Sequence, residues 1–323
     1  MSLSVTKESA VPVTMSGGRK SETSGLAADS QRRKGRWESA AFQGPSLLVL
    51  VLIVVFPLIY SATLSLQSYS PVLPDRTGQW IGLENFQRVL HDRDFFNVII
   101  VTLVFVICAV TIETILGTVV GIILHRLVRL RRAVTSLLLL PMITTPLIVG
   151  LMFNFAFNAQ FGYLTWVMSK IGLDPNGGVL NSGITALAAL IFVDVWEWFP
   201  FIALMVVAGL SALPVSPFEA ASIDGASTFQ TYRYIMLPML KPVLVVAILF
   251  RATEAVREFD KVFILTGGGP GAATTVNDLY QYRVSFLNWD LSYGAALGLV
   301  TFVVVLALCG VLYRVLTRNE AQL

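Results

Sequence analysis

The residues able to do chemistry in this chain fall into three clusters. After an apolar stretch at 243–250 come Arg251, Glu254, Arg257, Glu258, Asp260 and Lys261. If one helix continues through them, Arg251 and Glu254 stand three apart, Glu254 and Glu258 four apart, and Arg257 and Asp260 three apart. Side chains at these spacings meet on a helix face. A ladder of paired charges of this kind predicts a protein or water cavity beside it, since lipid does not surround such a face. The other reading is a span that ends early and continues as a solvated helix. The second cluster is Asp194, Trp196, Glu197 and Trp198, followed by Pro200. Carboxylates accept hydrogen bonds from hydroxyls and indoles stack on C–H surfaces, a combination suited to a polyhydroxylated solute. Anchoring at the headgroup level explains the same residues without a ligand. Glu113 stands apart in an earlier apolar run, suited to helix packing, a buried hydrogen bond or a solute role, and Asn154 is a polar candidate in another.

The third cluster lies at 213–238. It opens on Pro214, Ser216 and Pro217, continues through Glu219, Ala220, Ala221, Asp224, Gly225 and Ala226, and closes on Pro238. The pattern predicts a helix capped by Ser216, a turn at Gly225, and a second short helix ending before Pro238. Small side chains admit another protein's surface closely, while Glu219 and Asp224 are suited to charge-assisted bonds with basic residues. An amphipathic linker lying at the interface is the plainer alternative.

The elements that position these clusters are membrane spans. Of 323 residues, 55% are hydrophobic and 13% charged, with a mean hydropathy of +0.72, which excludes an ordinary soluble domain. Apolar runs at 46–66, 97–124, 133–156, 184–212, 240–264 and 292–315 predict six transmembrane helices, with Pro57, Pro141 and Pro146 as bends. Positive charge sets the orientation. Residues 1–40 carry seven Lys or Arg, the turn after the second run carries Arg126, Arg129, Arg131 and Arg132, and the tail carries Arg314 and Arg318. Both termini are therefore expected in the cytoplasm. Residues 1–40 read as a retained, largely disordered basic arm, and 41–323 as the membrane domain, with 213–238 on its cytoplasmic side. A formal charge of +3 gives no indication of nucleic-acid binding. Cys108 and Cys309 are too few for a disulfide framework or metal site.

The run Glu219-Ala220-Ala221, two residues, then Asp224-Gly225-Ala226, with Leu237-Pro238 closing it, resembles the coupling loop of ABC importer permeases. Residues 45–316 are also similar to the carbohydrate-importer branch related to maltose and glycerol-phosphate permeases. The likeness is carried by Phe56-Pro57-Leu58-Ile59-Tyr60, Leu64-Ser65-Leu66, Ile81-Gly82-Leu83-Glu84-Asn85-Phe86, Phe259-Asp260, Leu265-Thr266-Gly267-Gly268-Gly269-Pro270 and Tyr293-Gly294-Ala295-Ala296. The resemblance implies an all-α, polytopic permease fold of the maltose-permease type in a bacterial inner membrane. It implies that Glu219, Ala220, Ala221, Asp224, Gly225 and Ala226 meet a cytoplasmic ATPase dimer. Further partners are a second homologous permease and an extracytoplasmic solute-binding protein, docked by outward loops such as 267–270. Asn154, Asp194, Glu197, Trp198, Glu254, Arg257 and Glu258 are the expected solute-path residues. The chain departs from its relatives at 254–258, where charge replaces Trp and uncharged residues, leaving room for a different polar solute. No covalent catalysis is expected. Gly267, Gly268, Gly269 and Pro270 precede no Lys-Ser/Thr pair, so ATP and magnesium are assigned to the separate ATPase and no cofactor to this chain. An ion- or proton-coupled secondary transporter and a scaffold without transport are the alternatives from the residues alone.

Overall fold

The structure, a computed structural model, describes residues 43–71, 78–127, 131–170 and 178–317. The basic arm at 1–40, Arg129 and Arg318 lie outside the described residues. The chain divides into two units, 1–60 and 61–323. The first contributes most of α1 (Gln43–Ser65), an apolar helix long enough to cross a bilayer. Pro57 cannot donate to the preceding turn, and a wider π turn at Val51–Val55 accommodates it.

The second unit opens with a short antiparallel ladder, β1 (Gln67–Ser68) against β2 (Gln79–Trp80), in which Gln67 faces Trp80. Helices follow: α2 (Glu84–His91), α3 (Arg93–Arg126), α4 (Arg131–Ile143), α5 (Pro146–Ala156) and α6 (Tyr163–Lys170). The remainder are α7 (Gly183–Ala212), α8 (Ser216–Ile223), α9 (Thr228–Val256), α10 (Asp260–Leu265), α11 (Asn277–Tyr282) and α12 (Leu291–Thr317). Helices α1, α3, α7, α9 and α12 are long and apolar enough to span a membrane. Helices α4 and α5 make a sixth crossing if taken together, but they meet at a bend of 91°. Thr145, just before Pro146, is extended at φ −67° and ψ 139°, as the proline ring demands of its predecessor.

The expected fifth span, 240–264, is corrected. Helix α9 stops at Val256 and α10 begins at Asp260. Neither glycine nor proline marks this break. Instead the Glu258 carboxylate accepts the Lys261 backbone N–H at 3.2 Å, satisfying a donor in the first turn of α10. At its other end α9 is longer than expected, because the helix that was to end before Pro238 runs on through it. A π turn at Tyr232–Met236 absorbs the irregularity that Pro238 imposes.

The centre of the unit is the contact of α3 with α7. Gly117 and Gly121 lie one helical turn apart on the α3 face that meets Ile202, Ala203 and Val206. A Cβ on Gly117 would stand 2.5 Å from Ile202 Cβ, and one on Gly121 would stand 2.7 Å from the Ala203 carbonyl oxygen. Small residues at this spacing let two membrane helices approach backbone to backbone. Near the start of α3, Asp92 caps the helix through the Asp94 and Phe95 amides. It also accepts the hydroxyls of Tyr280 at 2.6 Å and Tyr293 at 2.5 Å. Burial pushes its carboxyl up, but these hydrogen bonds prevail and hold it below the ordinary carboxylate range. This fastens α3 to the region of α11 and α12.

Gly121→Leu should lower the thermal-unfolding midpoint of the detergent-solubilised protein by an amount equivalent to about 1–3 kcal/mol of overpacking. Gly310→Leu, where a Cβ meets nothing within 4 Å, should leave the midpoint in place.

Candidate functional site

Two charged centres inside the helix bundle organise the polar residues. Arg251, on α9, places Nε 2.8 Å from Glu113 on α3 and Nη2 2.5 Å from Asp194 on α7. Lys261, on α10, places Nζ 2.7 Å from Asp194, 2.6 Å from Glu197 and 3.0 Å from Glu258. Asp194 therefore bridges both cations. Arg251, Lys261, Glu113, Asp194 and Glu197 are each at most 1% exposed, and Glu258 is 8% exposed. The Arg251 guanidinium also lies 4.8 Å from the centroid of Trp198, within reach of its π face. Trp198 in turn meets Phe201, and Phe201 meets Phe250.

The expected one-helix ladder is thus replaced by a network joining α3, α7, α9 and α10. Because α9 ends at Val256, Glu258 and Asp260 fall out of helical register with Glu254 and Arg257. Arg257 and Asp260 are exposed, Glu254 is half-buried, and none joins the network among the described residues. The early end of the span is borne out at Val256, and the solvated reading holds for Arg257 and Asp260, but it is corrected for Arg251 and Lys261, which are buried, as interfacial anchoring is by the burial of Asp194 and Glu197. Glu113, which looked isolated, is the α3 member of the network. Asn154 is half-buried and donates through Nδ2 to the carbonyls of Ile264 and Leu265, both at 3.2 Å, tying α5 to the end of α10.

The segment at 213–238 has a different construction. Helix α8 begins at Ser216 with Val215 as its N-cap and no side-chain cap bond, so the expected Ser216 cap is corrected. At its other end the Gly225 N–H donates to Ser222 at 3.3 Å and the Ala226 N–H to Ala221 at 2.9 Å. These paired bonds, with Gly225 at φ +73°, form a Schellman closure. Ser227 then caps α9: its Oγ accepts from the Gln230 amide at 3.3 Å, and Gln230 Oε1 accepts from the Ser227 amide at 2.8 Å. Glu219, Ala220, Asp224 and Gly225 are exposed, Ala226 is half-buried and Ala221 is buried. Ile223 is 86% exposed and Phe229 71%, although neither was singled out from sequence. Their signal was present as large apolar residues flanking the glycine turn in a polar stretch.

Gly267, Gly268, Gly269 and Pro270 form a braced loop after α10. Gly267 and Gly268 have positive φ, and a Cβ on Gly268 would stand 2.6 Å from Thr275 Oγ1. Thr274 donates to the Gly269 carbonyl at 2.7 Å, Thr275 to that of Gly268 at 3.0 Å, and Arg283 to that of Gly267. Among the described residues, no group of three or more His, Cys, Asp or Glu has an arrangement that would hold a metal ion.

Residues 113–321 match the family described as binding-protein-dependent transport system inner membrane component. The trehalose/maltose transport system permease protein MalF of Thermococcus litoralis is 36% identical over 263 residues, covering 81% of this chain and 88% of the relative. The sulfoquinovosyl glycerol transport system permease protein SmoG of Agrobacterium fabrum is 33% identical, covering 85% of this chain and 89% of the relative. The fold is that of a chain in the crystal structure of a bacterial ABC transporter that imports the acidic polysaccharide alginate. That match has a TM-score of 0.76 at 20% identity, over 91% of this chain and 98% of the other.

Asp194 is the one acid paired with both cations, so Asp194→Asn should destabilise the protein by about 3–5 kcal/mol. Glu258→Gln, which removes a single contact at the edge of the network, should cost less in the same thermal-unfolding measurement.

Proposed function

This chain belongs to the family of binding-protein-dependent transport system inner membrane components, and on that premise we propose that it carries a sugar or related polyhydroxylated solute as a permease subunit of an ATP-driven importer. The observation that carries the coupling part of the reading is the rigid, exposed turn at 216–230. A Schellman closure and a capping box fix its backbone, and its exposed face combines carboxylates with apolar side chains. A cytoplasmic ATPase dimer docks there, meeting Glu219, Ala220, Asp224 and Gly225, with Ile223 and Phe229 filling apolar recesses. Ala221 and Ala226 keep the turn thin where it rests on the permease.

Both termini are cytoplasmic in this reading, consistent with Arg126, Arg131 and Arg132 around the end of α3 and the start of α4. The chain pairs with a second homologous permease. An extracytoplasmic binding protein docks on the opposite side, against loops that include Gly267, Gly268, Gly269 and Pro270. ATP and magnesium act on the ATPase, whose closure moves the α8 turn and reorients α7 and α9. This chain makes and breaks no covalent bond.

The sugar assignment draws on the relatives named for trehalose, maltose and sulfoquinovosyl glycerol. Of the solute-path candidates, Trp198, Glu254 and Arg257 have surface to offer a solute in this conformation. Asp194, Glu197 and Glu258 stand behind them, holding the cations, and Asn154 braces α5. A secondary transporter loses much of its support, because Asp194, Glu197 and Glu258 are occupied by Arg251 and Lys261 rather than free to carry a coupling ion.

Trehalose and maltose uptake should be measured in proteoliposomes containing this chain, its second permease, the ATPase and the binding protein. ATP-driven uptake is expected, absent when the ATPase is omitted. Gly225→Val should reduce it about ten-fold or more, because positive φ strains a β-branched residue by ~1–2 kcal/mol and added bulk separates the docked surfaces. Gly225→Asn should retain most of it. Uptake without the ATPase, or unaffected by both Gly225→Val and Glu219→Lys, would overturn the reading.

A further inference from the structure

The two cations of the buried network stand on unlike supports. Arg251 is part of α9, and its partners belong to α3 and α7, so its half of the network joins three long helices. Lys261 is part of α10, a six-residue helix separated from α9 by the break at 257–259. Helix α10 packs on α5, itself set off from α4 by the 91° bend. The two short helices are bound closely to each other. Asn154 donates to two carbonyls at the end of α10, and a Cβ on Gly150 would stand 3.2 Å from Ile264 Cβ and 3.4 Å from Lys261 Cα. Helices α5 and α10 thus form one small body, set off by a break from α4 on one side and from α9 on the other.

Against α7, this body is held by two kinds of contact. One is aromatic: Phe153 of α5 meets Trp196 and Phe192 at centroid distances of 5.2 and 6.0 Å. Such contacts keep much of their energy through small slides. The other is directional, Lys261 Nζ to Asp194 and Glu197. Those carboxylates are three residues apart on α7, about 4.5 Å along its axis. Glu258, inside the break and three residues before Lys261, supplies a third acceptor that stays close to Lys261 in the chain. A buried ammonium is costly only when it lacks a carboxylate. Movement of the body along α7 by less than a helical turn leaves Lys261 with Glu258 and one of the two α7 acids throughout.

We propose that Lys261 is a positioning residue for transport: it sets the register of the α5–α10 body on α7 and trades Asp194 and Glu197 as acceptors when that body shifts during the transport stroke. The proposal rests on the importer reading above, which supplies the stroke. Shear between packed helices is an established way for small displacements to change the shape of a helical protein. In this conformation Lys261 holds both α7 carboxylates at once, so a slide in either direction gives up one acid and keeps the other.

The test uses the complete importer complex with Cys108 and Cys309 replaced by Ala and Val262→Cys as reporter. Val262 is fully buried and adjacent to Lys261. Maleimide labelling is compared between the nucleotide-free and the ATP-vanadate-trapped complex, beside uptake of trehalose or maltose and binding-protein-stimulated ATP hydrolysis. With Lys261 present, labelling should differ about ten-fold between the two states. Lys261→Gln should abolish that difference and lower uptake per ATP hydrolysed by about ten-fold, a change in coupling. Lys261→Arg should restore both.

State-dependent labelling with full uptake in Lys261→Gln would overturn the proposal, as would unchanging labelling in a complex that transports. If Lys261→Gln fails to fold, the pair Gly150→Cys and Ile264→Cys decides, since its 3.2 Å Cβ separation needs only a few tenths of an ångström of opening to reach the usual disulfide range. Uptake retained after oxidation supports one moving body, and uptake lost on oxidation but regained on reduction overturns it. A reporter complex with native Lys261 that shows no ATP-driven uptake contradicts the importer reading instead.

Discussion

Burying ionised side chains among membrane helices is the constraint on which the rest of this structure depends. Each isolated charge taken from water costs several kcal/mol, and the cost is offset only where partners are close and well oriented. Arg251 and Lys261 meet it with the four carboxylates of Glu113, Asp194, Glu197 and Glu258, and Asp194 serves both. The requirement fixes which helices must be neighbours. It brings α3, α7, α9 and α10 within side-chain reach of one another, and it makes separating any of them expose an uncompensated charge. Gly117 and Gly121 supply the room by letting α3 approach α7.

In the proposed importer reading, the same arrangement gives the α8 turn mechanical meaning. Helices α7 and α9 flank it in sequence, and the buried network ties them together away from it. A push on a turn whose backbone is fixed by a Schellman closure and a capping box reaches two helices that cannot move apart cheaply. They respond as a body, carrying α3 with them. The breaks at 257–259 and between α4 and α5 mark where that body ends and a smaller one begins. Rigid parts joined at defined breaks are what alternating access requires of a permease subunit.

Much of this was legible in the sequence, for definable reasons. Apolar runs report membrane helices directly, because lipid imposes one composition on a whole span. The Gly225 turn was legible because few residues tolerate positive φ. The network was not, because Arg251 finds Glu113 and Asp194 at separations of 138 and 57 residues, while helical spacing proposes only local partners. The ladder from Arg251 to Asp260 assumed an unbroken helix. The break comes from Glu258 bonding the Lys261 amide, a side-chain choice with no Gly or Pro to announce it. Pro238 misled in the opposite direction, since a π turn carries the helix through it. Ser216 has the right type for a cap but not the position, and Ser227 fills that role where Gln230 completes the box.

The central claim is that the buried charges stabilise the helix bundle only as a connected set. A double-mutant cycle on Glu113→Gln and Arg251→Met, read by thermal unfolding of the detergent-solubilised protein, tests it most directly. Each single change leaves buried charge without its partner, so the account predicts that the double variant is more stable than the sum of the two losses allows, with a coupling energy of about 2 kcal/mol or more. Losses that simply add would contradict it, because Glu113 and Arg251 would then stabilise the bundle independently.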